Sequence, residues 1–102
     1  TSEELLPMKP PLFLKIKTLG QSAYTYTRDA SPSVSKSIKP NQEIDLESFE
    51  NNSELIFSHT TGVTIFVNAT EIDKVSEYKH PIRLIIKTNP PSVGIQRFKP
   101  LP

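Results

Sequence analysis

The chain has 102 residues, a formal net charge of +1, 35% hydrophobic and 23% charged residues, ten prolines and no cysteine. That length suits a single domain, the mixture is not that of a disordered acidic tail, and the balanced charge gives no basic excess for a phosphate backbone, which argues against nucleic acid as a partner. Without cysteine there are no disulfides, thiolate metal sites or cysteine nucleophiles, and no apolar run approaches the ~20 residues a membrane-spanning helix needs.

Residues 1–11, with Pro7, Pro10 and Pro11, read as the end of a linker; the SEELL run suits one helical turn, which Pro7 would stop. A start at Thr1 with no signal-peptide pattern predicts a fragment or processed product. From Leu12 the period is two: Leu12, Leu14 and Ile16 alternate with Lys15 and Lys17, predicting a half-buried strand. In SAYTYTR, Tyr24 and Tyr26 share one face. After the turn cluster Asp29-Ala30-Ser31-Pro32, Val34, Lys36 and Ile38 mark a more polar strand expected at a sheet edge. Lys39-Pro40-Asn41-Gln42 turns into EIDLESF, where Ile44 and Leu46 oppose Asp45 and Glu47.

A further turn at Glu50–Ser53 leads into the strongest β signal, strands Leu55–His59 and Val63–Asn68. Thr60-Thr61-Gly62 between them has the length of a hairpin loop. Asp73–His80 is a polar connection with room for one helical turn, and Ile82–Lys87 is a last apolar strand. Residues 89–102, with Pro90, Pro91, Pro100 and Pro102, read as an extended tail in which Ser92–Phe98 can add an edge strand.

Seven or eight short strands with turns every 8–12 residues predict an all-β fold. The expected architecture is an antiparallel sandwich or partly open barrel over residues 12–88. Ile56, Phe66 and Ile85 interrupt strict alternation, so their strands carry apolar residues on both faces, as interior strands do. Either the terminal tails or a second sheet covers these three, or they form an exposed partner-binding patch. Tyr24 and Tyr26 have two readings of the same kind, a stacking platform for a glycan or cross-strand packing.

Catalytic signals are weak. His59 and His80 are too few for a zinc site without carboxylate help, no nucleophile elbow occurs, and the three glycines are scattered. Asp45 and Glu47 sit about 7 Å apart by strand rise but alternate with Ile44 and Leu46, the pattern of a solvated outer face. Sequons at Asn51 and Asn68 are no more than chance supplies. The residues thus predict no enzyme, no cofactor and no metal.

With the strand order laid out, Leu12–Thr88 resembles the C-terminal extracytoplasmic domain of RodZ-type bacterial cell-shape proteins. LFLKIK leads to Gly20-Gln21-Ser22 and the aromatic strand AYTYTR. Lys39–Glu43 is similar to the family's turn before the next strand, and TTGVTIFVNATEID to its small-residue turn, strand and Asn-Gly hairpin close. The family's Trp after the serine is replaced by Ala23 and Tyr24, and two turn glycines by Asn41 and Ala69.

The resemblance implies a single-pass inner-membrane protein with a cytoplasmic helix-turn-helix domain that binds the actin-like MreB. This domain would lie in the periplasm or at the cell surface, anchored only by a segment upstream of this sequence. It would be a non-catalytic module coupling the cytoskeleton to peptidoglycan synthesis, monomeric in isolation. Its partners would be proteins of the elongation machinery, with peptidoglycan as a further ligand. Candidate binding residues are Tyr24, Tyr26, Ile56, Phe66 and Ile85. A carbohydrate-binding or adhesin-like module is the alternative.

Overall fold

The period-two stretches become strands because each buries one row of side chains and leaves the other to solvent. A computed structural model describes residues 2–99. Its strands are β1 (Ser2–Leu5), β2 (Leu14–Thr18), β3 (Ser22–Arg28), β4 (Val34–Ile38) and β5 (Glu43–Asp45), then β6 (Asn52–Phe57), β7 (Val63–Val67), β8 (Thr70–Glu71), β9 (Ile82–Thr88) and β10 (Pro91–Arg97). A short 3-10 turn at Asp73–Val75 is the one helical element among the described residues. Two antiparallel sheets result, ordered β1-β10-β9-β6-β3-β4 and β5-β2-β7-β8, and they do not close into a barrel.

The inner faces share one core. Leu14, Ile16, Val63, Ile65 and Val67 of the small sheet are buried with Leu55, Phe57, Leu84, Ile86 and Ile95 of the large one. Four strands cannot cover six, so irregular segments cover the surplus. The Glu47 carbonyl accepts the Tyr26 hydroxyl at 2.6 Å and the Ser48 carbonyl accepts Arg28 Nη1 at 3.2 Å. These bonds lay residues 46–49 beneath β3 and bury Phe49. On the opposite flank the 3-10 turn buries Val75, while Lys74 pairs with Glu4 of β1 and its carbonyl accepts Arg97 of β10.

Both flanks differ from the sequence expectation. Ser2–Leu5 is a strand paired along its length with Ser92–Ile95 rather than linker or helical turn. The free edge of β10 offers a ladder of hydrogen bonds, which outweighs the helical preference of so short a Glu- and Leu-rich run. Residues 91–97 are likewise sheet rather than tail, and β10 lies second from the edge because β1 covers it. Thr1, Pro100 and Pro102, assigned to linker and tail, lie outside the described residues.

The strands predicted as a hairpin do not pair. β6 belongs to the large sheet and β7 to the small one, and residues 58–62 carry the chain across the sandwich. Thr60 anchors the crossing: its buried hydroxyl donates to the Val75 carbonyl and accepts the Tyr78 amide at 2.9 Å. Gly62 has φ +71°, and a Cβ there would stand 2.7 Å from the Gly20 nitrogen. The connection is five residues, 58–62, and a loop of three to five residues also suits a hairpin, so loop length alone could not tell them apart,.

The true hairpin follows. Val67 pairs with Thr70 around Asn68 (φ 49°) and Ala69 (φ 66°), a two-residue turn with both central residues left-handed,. Asn68 ties it down, its Oδ1 accepting the Phe13 amide at 2.7 Å and its Nδ2 donating to the Pro11 carbonyl at 3.0 Å. A left-handed alanine costs roughly 1–2 kcal/mol, partly offset in glycine by its greater unfolded freedom. Ala69→Gly should therefore raise stability in urea denaturation by about 1 kcal/mol. Gly62→Ala, strained in φ and crowded by backbone, should lower it by about 2 kcal/mol or more.

Candidate interaction surfaces

The five candidate binding residues fall in three places. Tyr24 and Tyr26 point into the sandwich, each only 5% exposed, with the Tyr24 ring centroid 6.2 Å from that of Phe57. They do not make a glycan platform, because their shared face is the one the core uses. Burial pushes the hydroxyl of Tyr24 up in pKa and that of Tyr26 up to about 12.

Phe66 lies on the outer face of the small sheet. Across the strands it stands in a row with Asp45, Lys15 and Glu71, beside a second row of Glu43, Lys17 and Thr64. Lys15 Nζ is 2.9 Å from Glu43 and 3.8 Å from Asp45, and these contacts raise its pKa while Lys15 lowers that of Glu43. Lys17 Nζ sits 5.3 Å from the Phe66 ring centroid, a cation–π contact,. Phe13, 55% exposed, shares this face, and the two rings help line a depression of about 360 Å³ with Lys15, Asn68 and Ala69. Phe13 was legible: the alternation that turns Leu12 and Leu14 inward turns Phe13 outward with Lys15 and Lys17.

Ile56 and Ile85 lie on the opposite side of the molecule, on the outer face of the large sheet. In β6 and β9, Ile56 faces Arg83 and Glu54 faces Ile85. Glu54 and Arg83 join diagonally at 2.9 Å, so an ion pair runs between the two isoleucines. Ile56 is 36% exposed and Ile85 half-buried. Toward β4 the face becomes a hydroxyl ladder, with Thr25 Oγ1 2.9 Å from Ser35 Oγ and Thr27 Oγ1 2.7 Å from Ser33 Oγ. Ile56, Phe66 and Ile85 thus do occupy interior strands, but among the described residues no second sheet covers their outer faces, and the three form no common patch.

The carboxylates separate too. Asp45 belongs to the Lys15 cluster, while Glu47 pairs with Arg28 of β3. His80 stacks edge-on against Tyr78 at 5.8 Å, and the described residues contain no group of three or more His, Cys, Asp or Glu placed to hold a metal. Asp29, missed in the sequence, is the most heavily bonded carboxylate: it accepts the amides of Glu50, Asn51 and Asn52, which lower its pKa. Its role is to fix the entry to β6. Compared with known proteins, the chain matches no family model, no curated protein and no solved structure.

Tyr26→Phe removes the hydroxyl bonded to Glu47 and should cost about 1 kcal/mol. It should also flatten the alkaline limb. A phenol whose folded pKa of about 12 exceeds its unfolded value of 10 contributes stability below pH 10 that is lost as pH rises toward 12,. Thermal melts of both proteins between pH 8 and 12 measure the difference.

Proposed function

We propose that this chain is a non-catalytic interaction domain and, more specifically, the extracytoplasmic β-domain of a membrane-anchored cell-shape protein of the RodZ type. The observation that carries the binding role is the outer face of the small sheet. Phe13 and Phe66 contribute nothing to the sandwich interior, yet they gather around one depression beside Lys15 and Lys17. Aromatic groups ringed by paired charges suit a protein surface, since rings supply contact area and charges set orientation.

Two turns support the narrower reading. Asn41 and Ala69 stand where the family has glycine, and their φ values are 60° and 66°. The backbone conformation that glycine serves is therefore kept where the glycine is not. Asn41 is held by Thr18, whose carbonyl accepts its amide at 2.9 Å and whose hydroxyl donates to Lys39 at 2.8 Å. No helix among the described residues is long and apolar enough to cross a membrane, so in this reading the anchor belongs to sequence upstream of Thr1. The partners are proteins of the elongation machinery. The glycan reading loses the residues that motivated it, because Tyr24 and Tyr26 are buried.

Pull-down from bacterial envelope extracts tests this, with captured proteins identified by mass spectrometry. Wild type should retain elongation-machinery proteins. Phe66→Glu, changing an outward side chain, should fold normally by circular dichroism and lose them by tenfold or more, a typical hot-spot effect of roughly 1.4 kcal/mol or greater. Equal capture by Phe66→Glu, or retention on peptidoglycan alone, would refute the proposal.

A further inference from the structure

The two edges of the six-stranded sheet are complementary in direction, hydrogen bonding, side-chain facing and charge. We infer that β4 of one copy pairs with β1 of the next, joining copies head to tail into a continuous antiparallel sheet.

Direction follows from parity. All five neighbouring pairs in the six-stranded sheet are antiparallel, so β1 and β4 run opposite ways. Placing β1 of one copy beside β4 of another therefore continues the antiparallel order with no reversal of the molecule.

The hydrogen-bonding groups agree. The Leu6 amide donates to the Pro91 carbonyl at 2.8 Å, so by alternation Glu4 also faces β10, and the amides and carbonyls of Glu3 and Leu5 face outward,. In β3, Ala23 accepts from Ser58 and Asp29 donates to Asn52, so Tyr24 and Tyr26 turn their backbone toward β4. Their partners Lys36 and Val34 bond β3, which leaves Ser35 and Ser37 facing outward,. Each edge presents its backbone groups at alternate residues, ready for a ladder.

One register satisfies the side chains. Setting Ser35 opposite Leu5 and Ser37 opposite Glu3 pairs the outward-facing residues. It also sets Lys36 opposite Glu4 and Val34 opposite Leu6 on the inner side. Val34, 47% exposed, would then gain an apolar neighbour. Charge opposes the symmetric pairings centred on Lys36 or on Glu4. Lys36 and Lys39 are the only charges in residues 30–42, and Glu3 and Glu4 the only ones in residues 2–6. Two β4 edges would set lysine against lysine and two β1 edges glutamate against glutamate, both unfavourable on a strand pair. An inward-pointing lysine on an edge strand ordinarily guards against edge pairing; here it bars β4 from its own kind while matching β1. The inference goes beyond the proposed binding role, uses a different part of the surface, and departs from the monomer expected from sequence.

Sedimentation of the purified protein over a wide concentration range tests it. Association should grow with concentration without stopping at a dimer, because a heterologous contact does not close on itself. Lys36→Glu, at an exposed position, should weaken it about fivefold or more, whereas Glu4 already pairs with Lys74 and its substitution would also loosen the Asp73–Val75 cover,. Ser35→Pro removes an outward amide that the sheet does not use, so it should keep the circular dichroism spectrum and abolish association. In the cysteine-free background, a mixture of Ser35→Cys and Leu5→Cys should cross-link under mild oxidation far faster than either variant alone. A protein that stays monomeric at millimolar concentration, stops at a dimer, or associates as well with Ser35→Pro as without it would overturn the inference.

Discussion

A four-stranded sheet laid on a six-stranded one cannot hide its inner face, and the rest of this structure follows from that mismatch. Apolar side chains on β3, β9 and β10 still need a cover. The chain supplies it with non-strand segments at both flanks, Leu46–Phe49 on one side and the turn carrying Val75 on the other. Polar bonds from Tyr26, Arg28, Lys74 and Arg97 hold these covers in place. The two overhanging strands, β1 and β4, are left as open edges of one large sheet.

The same mismatch separates the surfaces. Each sheet has its own outer face, so the side chains that break alternation end up on opposite sides of the molecule. Phe66 joins Phe13 and the lysines of β2 on one side, while Ile56 and Ile85 flank the Glu54–Arg83 pair on the other. The proposed partner recognition and the inferred copy-to-copy contact would then use different residues. In the reading proposed, the small sheet's outer face would carry the first and the large sheet's edges the second.

What the sequence disclosed was mostly a matter of period. Leu14 and Ile16, Tyr24 and Tyr26, Leu84 and Ile86 all face inward as alternation requires, and β4 is the edge strand its polar residues suggest,. Sheet membership was not legible. Period two says which face a residue takes but not which sheet its strand joins, so β6 and β7 looked like a hairpin although Thr60 and Gly62 form a crossing. The flanks were misread for a related reason. Pro7, Pro10 and Pro90 mark breaks in hydrogen bonding, but a break between strands looks the same as the end of a domain. Ser2–Leu5 became a strand only because β10 had an edge to fill. Asp29 carries no motif, because its three amide partners lie more than twenty residues away along the chain.

The six-on-four arrangement is tested most directly by native-state amide hydrogen exchange along β10. Val93 and Ile95 direct their backbone toward β1, and Gly94 and Gln96 toward β9. With β1 in the sheet, all four amides should be protected to a similar degree. Fast exchange at Val93 and Ile95 with protection kept at Gly94 and Gln96 would make β10 the sheet edge and residues 2–5 a linker, and would contradict the account.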